Sequence, residues 1–350
     1  MKITANMVTM TRIFLMPVPC LLLLYGDAFW RWVAVFCYTV LATTDFIDGY
    51  MARRDGPTKI GGLIDPVADK IFIAALFFPL ASMEVAPAWF IVAIFVRELL
   101  VTGLRSSVAW RKASITTSRL AKMKTIIQLG GAVSIFLVLS LQPYQLMAFA
   151  VFLAVITALG WLFMLLRKKR KPFFWMLPTI PCYILVAGAV TYADQETVIL
   201  IHLMVIAGLT LVSGFDYLLG AFGLFKSSGV SRYDLVRLAW GLSWPLLALP
   251  AVAWTPVAML PLLVAISCEL TIGGVDNVAV AEKEVPPDTL NFLISAICAA
   301  IFGVGYWMEI WGGSLPMVAP WIPGLGLAAV SLTLMVFSFK RHGDLFKKVI

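Results

Sequence analysis

The sequence predicts an all-α integral membrane protein, a polytopic bundle of about twelve transmembrane helices. Of its 350 residues, 61% are hydrophobic and 13% are charged, about half of the ~25% charged residues of a soluble domain. Apolar segments near the ~20 residues that a bilayer-spanning helix needs recur along the whole chain. Basic residues follow these segments on alternate sides, as the positive-inside rule requires. These three observations make a soluble enzyme or a disordered chain a poor description.

The apolar segments give the helices in order. The first closely follows Met1 and Lys2, as in a signal peptide, but no small-residue cleavage site comes after Leu24, so we expect a retained helix. The twelve predicted spans are 10–26, 29–46, 66–83, 88–104, 123–141, 147–166, 173–192, 198–222, 238–254, 256–274, 290–310 and 317–338.

The Lys and Arg residues give the orientation. With the N-terminus in the cytoplasm, nearly all of them fall in cytoplasmic connections. The opposite connections are short and contain Asp27, Glu84, Asp194 and Glu196, with Arg31 as their basic residue. Topology and anionic lipid then explain the net charge of +8, which removes the argument for a nucleic-acid partner. We expect both termini in the cytoplasm.

Four of the 19 acidic residues lie between positions 45 and 69, at the end of the second span and the start of the third. Ionisable residues are costly near membrane spans and indicate function. Asp45 and Asp48 are three residues apart, and Asp65 and Asp69 four apart, so each pair lies on one helix face. The chain returns to the same side of the membrane between the pairs. Four carboxylates can therefore converge at the cytoplasmic boundary, a pattern that solvated acids at helix ends explain poorly.

This group of carboxylates predicts a metal site. Four anions repel one another unless cations hold them, and oxygen-only ligands suit Mg²⁺ or Mn²⁺. The five cysteines and two histidines show neither a disulfide pattern nor a zinc pattern. Gly49 leaves room for a ligand beside the backbone, while Arg53 and Lys59 suit a phosphate-bearing substrate. Two metal ions held here would clamp a phosphoryl group.

The spacing D-x2-D-G-x2-A-R-x7-G-x3-D-x3-D resembles the signature of the CDP-alcohol phosphatidyltransferase family, in which eight residues more usually follow the arginine. Here it consists of Asp45, Asp48, Gly49, Ala52, Arg53, Gly61, Asp65 and Asp69. The resemblance implies a six-helix core that transfers a phosphatidyl or related group from a CDP-linked lipid to an alcohol and releases CMP. It implies metal binding, by two ions, at the four aspartates, and it makes Asp69 the general base. It implies that Gly49, Arg53 and Thr58 bind the CDP moiety.

Shorter segments resemble the same family. Asn6, Thr9 and Arg12 form an N-x2-T-x2-R element, which implies further contacts with the CDP moiety. Segments similar to the bacterial phosphatidylglycerophosphate synthase branch are 65–70, 97–105, 122–128 and 213–217. The resemblance covers about 1–142 and 196–226. It implies an integral protein of a bacterial cytoplasmic membrane, with its active site on the cytoplasmic side, that pairs as a homodimer.

Basic residues crowd the cytoplasmic ends of spans four and five. Arg97 lies inside a span and calls for a partner or an aqueous cavity. A phosphorylated acceptor such as glycerol 3-phosphate needs these cations, whereas choline, ethanolamine or serine would not. We assign the acceptor phosphate to Arg105, Lys122 and Lys124. Inositol phosphate stays open by the same charge argument, and positive-inside bias is the alternative explanation for each residue.

We expect residues 1–226 to form the family-like membrane domain, with a two-helix insertion at about 145–192, and 227–350 to add four helices of unknown role. The alternative ends the family domain with the sixth span. Glu269, Asp276 and Glu309 lie near the ends of spans ten and eleven. Because intramembrane acids often mark ion paths, a transporter or lipid-handling module is a distant alternative. No repeat relates the two halves, which disfavours it.

Overall fold

The computed structural model describes residues 4–56, 58–113, 119–166, 188–189, 192–254, 259–283, 285–312 and 321–343. All regular secondary structure in these ranges is helical, which confirms the all-α prediction. The helices are α1 (Ala5–Leu15), α2 (Pro17–Tyr25), α3 (Ala28–Asp55), α4 (Lys59–Ser82), α5 (Ala88–Trp110), α6 (Arg119–Ser140), α7 (Pro143–Leu166), α8 (Gln195–Ser228), α9 (Arg232–Ser243), a π-helical segment (Trp244–Ala248), α10 (Ala251–Trp254), α11 (Met259–Lys283), α12 (Leu290–Gly312) and α13 (Trp321–Arg341).

Each predicted span coincides with one helix or with consecutive helices, except the seventh (173–192), which lies almost wholly outside the described residues. Six stretches in the described part are long and apolar enough to cross a membrane: Ala5–Tyr25, Gln195–Ser228, Arg232–Ala253, Met259–Glu282, Leu290–Met308 and Ile322–Arg341. Helix α4 is also long, but it carries Asp65, Asp69 and Lys70 along its length. The protein is thus a polytopic helical membrane protein, and the total of twelve spans stays a prediction.

Local sequence explains where several helices start and break. Pro17 has no backbone N–H to continue the ladder of α1, so α2 begins there with proline in its first turn. The Thr58 side chain accepts the Gly61 N–H at 2.9 Å and thereby caps the N-terminus of α4. Pro245 lies at the start of the π-helical segment. The α-helical hydrogen-bonding pattern is interrupted there, because proline has no backbone N–H to donate.

One compact unit consists of Met1–Gln128 and Ala207–Ile350. Within it α1 and α2 pack against α3 and α4, while α11 packs against α4, α5 and α13. Helix α9 contacts α5 and α12. Side chains of α5 and α8 also build an apolar cluster, with the buried members Val101, Leu104, Val108, Tyr217, Ala221 and Phe225. The helices after α8 therefore form one body with α1–α5, and the division at residue 226 stays a prediction.

The second compact unit consists of Leu129–Ile206. Polar side chains join its helices across the α6–α8 contact. Ser134 Oγ lies 3.1 Å from His202 Nε2, and Gln195 Nε2 donates to the Val138 carbonyl at 2.5 Å. His202 Nδ1 faces the Val198 carbonyl at 2.7 Å, so His202 is a hydrogen-bonded residue of a helix contact.

Candidate active site

The first helix places three predicted residues beside α4. Asn6, Thr9 and Arg12 follow one another at intervals of three along α1, so they lie on one side of that helix. Thr9 and Arg12 are buried, with 0% and 3% of their surface exposed. Burial of a cation in a membrane helix requires a nearby acid or another polar partner. Helix α4 supplies that acid.

Thr9 contacts the first aspartate of α4. Its Oγ1 lies 3.3 Å from Asp65 Oδ1 and 3.2 Å from the Ala5 carbonyl within α1. A hydroxyl that donates to a carboxylate fixes the orientation of that carboxylate. Thr9 is therefore placed to hold the Asp65 carboxylate.

Arg12 contacts the second aspartate. Its Nη2 lies 3.6 Å from Asp69 Oδ1; the Arg12 side chain is 2% exposed and the Asp69 side chain is 45% exposed. The guanidinium is thus buried behind a carboxylate that faces outward. An accessible carboxylate stabilised by a fixed cation can bind a metal ion or accept a proton from a substrate hydroxyl.

The start of α4 is tied to α1 by Thr58. Its hydroxyl donates to Asn6 Oδ1 at 3.1 Å and accepts the Gly61 N–H at 2.9 Å. A Cβ atom on Gly61 would lie 2.9 Å from Thr58 Oγ1 and 3.1 Å from Asn6 Oδ1, so a side chain there would disturb this contact. Asn6, Thr58 and Gly61 thus form one polar junction next to Asp65.

The other half of the predicted site lies on α3. The helix continues without a break to Asp55, so positions 45 and 48 are one turn apart in a regular helix that packs against α1. The side chains of Asp45, Asp48 and Arg53 lie outside the described part of the chain, while Gly49 is described and half-buried. Among the described side chains, no three acids, histidines or cysteines are grouped closely enough to hold a metal ion.

The described donors still fit the predicted ion in kind. Asp65 and Asp69 contribute carboxylate oxygens, and hard divalent cations such as Mg²⁺ and Mn²⁺ prefer oxygen ligands. The two aspartates occupy consecutive turns of one helix. Asp45 and Asp48 would have to supply the remaining carboxylates, so the four-aspartate set stays a prediction.

The residues assigned to the acceptor phosphate are described in part. Arg105 is exposed near the end of α5. The side chains of Lys122 and Lys124 lie outside the described part, although both residues belong to α6. Arg97 is nearly buried inside α5, and its Nη1 lies 3.3 Å from Glu98 Oε1. The adjacent residue Glu98 is therefore one partner of the buried Arg97 cation.

Arg111 has a structural role that the sequence analysis missed. Its two Nη atoms bind the buried Asp234 carboxylate at 3.0 and 2.6 Å. Its Nε donates to Ser228 Oγ at 2.8 Å. Asp234 also closes the capping box at the start of α9, and that Ser231-x-x-Asp234 pattern was visible in the sequence. Arg111 thus anchors the end of α5 to the α8–α9 connection.

The acids of the C-terminal helices have partners in the structure. Glu269, fully buried in α11, accepts from Trp240 Nε1 at 2.8 Å, Ser295 Oγ at 2.6 Å and Ser331 Oγ at 2.8 Å. Asp276 forms an ion pair with the buried Arg237. Both acids therefore stabilise contacts between helices. The side chain of Glu309 lies outside the described part.

Known proteins resemble the N-terminal part of this chain. The profile of the CDP-alcohol phosphatidyltransferase family matches residues 2–166. A Rickettsia typhi protein named CDP-diacylglycerol–glycerol-3-phosphate 3-phosphatidyltransferase is 33% identical over 166 residues, 45% of this chain and 93% of that protein. The Bacillus subtilis protein of the same name is 32% identical over 178 residues, 45% of this chain and 90% of the relative.

A third relative, named a probable phosphatidylglycerophosphate synthase of Mycobacterium tuberculosis, is 35% identical over 172 residues, 47% of this chain and 81% of that protein. No solved structure matches. The profile match ends with α7 and does not include 196–226. Because these relatives are matched over nearly their whole length, the chain belongs to the CDP-alcohol phosphatidyltransferase family of membrane enzymes.

Proposed function

We propose that this enzyme transfers a phosphatidyl group from CDP-diacylglycerol to glycerol 3-phosphate and releases CMP. The observation that carries the proposal is the pairing of the two α4 aspartates with α1, through Thr9 to Asp65 and Arg12 to Asp69. These residues belong to the part of the chain that matches the family. The relatives' names supply the acceptor, which is consistent with the exposed Arg105.

The chain's own residues account for the main steps. Asp69 accepts the proton of the acceptor hydroxyl, and that oxygen attacks the phosphorus that bears the lipid. The bond from this phosphorus to the diphosphate bridging oxygen breaks, and CMP leaves with that oxygen. Arg12 lies behind Asp69 and stabilises its carboxylate between turnovers. We assign the CDP moiety to Asn6, Thr9, Arg12, Gly49, Arg53 and Thr58. We assign the acceptor phosphate to Arg105, Lys122 and Lys124. Two bound divalent cations, held by Asp45, Asp48, Asp65 and Asp69, would neutralise charge on the diphosphate.

The assay that tests this proposal uses purified full-length protein, CDP-diacylglycerol, glycerol 3-phosphate and either Mg²⁺ or Mn²⁺. We expect CMP release that needs all three components. Replacing both Asp65 and Asp69 with asparagine should abolish it, and activity that survives the double change would contradict the proposal. Supplying inositol phosphate instead of glycerol 3-phosphate distinguishes the two acceptors, since only the true acceptor should support turnover at low concentration.

Orientation and assembly are part of the same proposal. An active site on the cytoplasmic side of a bacterial inner membrane gives access to soluble glycerol 3-phosphate, and basic connections on that side support this orientation. Labelling of single cysteines introduced at positions 27 and 228, from either side of intact vesicles, should place them on opposite sides. The homodimer implied by the family can be tested by mass measurement in detergent.

A further inference from the structure

The helix that carries Asp65 and Asp69 is held between two parts of the chain. On one side α1 contacts the aspartates themselves. On another side α11 contacts the same two turns through Gly274, which faces Leu63 and Val67. Leu63 and Val67 alternate with the aspartates along α4, and each is 4% exposed. The two contacts therefore bracket the stretch of α4 that bears the candidate catalytic groups.

The α11 contact leaves almost no free space. A Cβ atom on Gly274 would lie 2.8 Å from both Leu63 Cδ1 and Val67 Cγ2, well inside normal van der Waals separation. Membrane helices commonly use glycine where a neighbouring helix packs closely. Leu63 Cδ1 ends a flexible side chain that can turn away, whereas Val67 is β-branched and restricted to few rotamers in a helix. Because packed interiors transmit displacements, we expect a side chain at position 274 to shift α4 through Val67.

Other contacts fix α11 in place. Asn277 Nδ2 donates to the Thr102 carbonyl of α5 at 3.2 Å. The ion pair of Asp276 with Arg237 ties α11 to α9. Glu269 binds side chains from α9, α12 and α13. Gly274 thus lies in a helix that several contacts hold in place. We call this helix, α11 (Met259–Lys283), the wall behind α4.

This wall lies outside the part of the chain that matches the family. The match to the Rickettsia typhi protein uses 45% of this chain and 93% of the relative, and the family profile ends at residue 166. We propose that α11 is part of the catalytic unit, with Gly274 as a positioning residue that sets the place of Asp65 and Asp69. The proposal rests on the function proposed above, because its readout is the turnover of that reaction.

The test is Gly274→Ala in the full-length enzyme, with kcat and both KM values measured per folded molecule. Misplacement of reacting groups by about 1 Å can cost up to ~100-fold, and we expect a fall in kcat of roughly tenfold for this smaller shift. Both KM values should stay within about twofold, as when an interaction of the transition state alone is weakened. Gly305→Ala, at an α12 glycine with open space around it, should leave kcat unchanged.

Rescue distinguishes positioning from a loss of stability. Adding Leu63→Val and Val67→Ala to Gly274→Ala removes the two atoms that the new methyl group would meet, and kcat should return to within about threefold of the parent. If kcat per folded molecule equals that of the parent in Gly274→Ala, or if the added changes fail to restore a lowered kcat, the positioning role is wrong.

A second variant covers the case in which Gly274→Ala does not fold. Asn277→Ala removes the hydrogen bond to α5 without adding volume, and it should lower kcat about threefold or more with unchanged KM values. A folded Asn277→Ala enzyme with the parent kcat would then overturn the inference. If the unmodified enzyme releases no CMP from CDP-diacylglycerol and glycerol 3-phosphate, the proposed function fails instead, so the two failures are distinguishable.

Discussion

Arg12 and Asp69 form a contact between a buried cation and a half-exposed acid, with Arg12 Nη2 3.6 Å from Asp69 Oδ1. The chain separates them by more than fifty positions, and helix packing alone brings them together. The contact combines two motifs that the sequence analysis treated separately: the N-x2-T-x2-R element of α1 and the aspartates of α4.

Replacement of Asp69 by asparagine keeps the size of the side chain but removes its basicity. Because general-base catalysis contributes about 10²–10⁴-fold, we expect kcat for CMP release to fall within that range. Glu84→Gln, an exposed acid in the α4–α5 connection, is the control and should be neutral. A variant that retains more than about a tenth of the activity would exclude Asp69 as the base.

Replacement of Thr9 by valine removes the hydroxyl that contacts Asp65. A hydrogen bond to a charged group contributes about 1.5–3 kcal/mol, so the metal concentration for half-maximal activity should rise roughly tenfold or more. Thr9→Ser restores the hydroxyl and should recover most of the affinity. Thr11, exposed on the same helix, donates to the Met7 carbonyl within α1, and Thr11→Val should not change metal activation.

Replacement of Arg111 by alanine leaves Asp234 without its cation. Asp234 has no exposed surface, and breaking a buried ion pair costs about 3–5 kcal/mol. We expect a clear drop in the thermal unfolding temperature in detergent. Arg232→Ala removes an exposed arginine near the same connection and should change stability by less than about 0.5 kcal/mol. Equal unfolding temperatures for the two variants would show that the Arg111 contacts do not stabilise the fold.

Replacement of Glu269 by alanine removes an acceptor shared by Trp240, Ser295 and Ser331. Each buried donor left unpaired costs about 1–3 kcal/mol, so we expect a loss of about 3 kcal/mol or more. Glutamine keeps the shape and one acceptor oxygen, and Glu269→Gln should lose about 1 kcal/mol. If both variants unfold like the parent but differ from it in solute flux across vesicles, an ion path through this residue would replace the structural role.

Much of the fold was accessible to prediction because membrane spans are long apolar runs. The run from 198 to 222, for example, became the core of α8. Helix ends were less accessible: α3 continues to Asp55, beyond the apolar part that ends near residue 46, because a helix can extend past the bilayer into the polar boundary. Hydropathy indicates which residues suit a lipid environment. It does not indicate how far a helix continues into the polar residues that follow.

Residues of the candidate site could be predicted where they belong to a recognisable sequence motif. Thr9 and Asp65 were named from separate motifs, and the structure joins them. The contact of Gly274 with Leu63 could not be foreseen, because apolar residues in spans of similar composition do not indicate which helices will pair. Arg111 was obscured for a different reason. In a basic connection its charge fits the positive-inside rule, and only the buried Asp234 reveals its use.

The hydrogen bond between Asn277 and Thr102 joins residues 175 positions apart, which has a consequence for biogenesis. At about 5–20 residues per second, α4 and α5 leave the ribosome on the order of ten seconds before α11 does. During that interval lipid or the insertion machinery must cover the faces that α11 later occupies. The aspartate-bearing helix thus reaches its final surroundings late in synthesis, and a nascent chain halted after α8 would contain every residue of the family match but lack the wall behind α4.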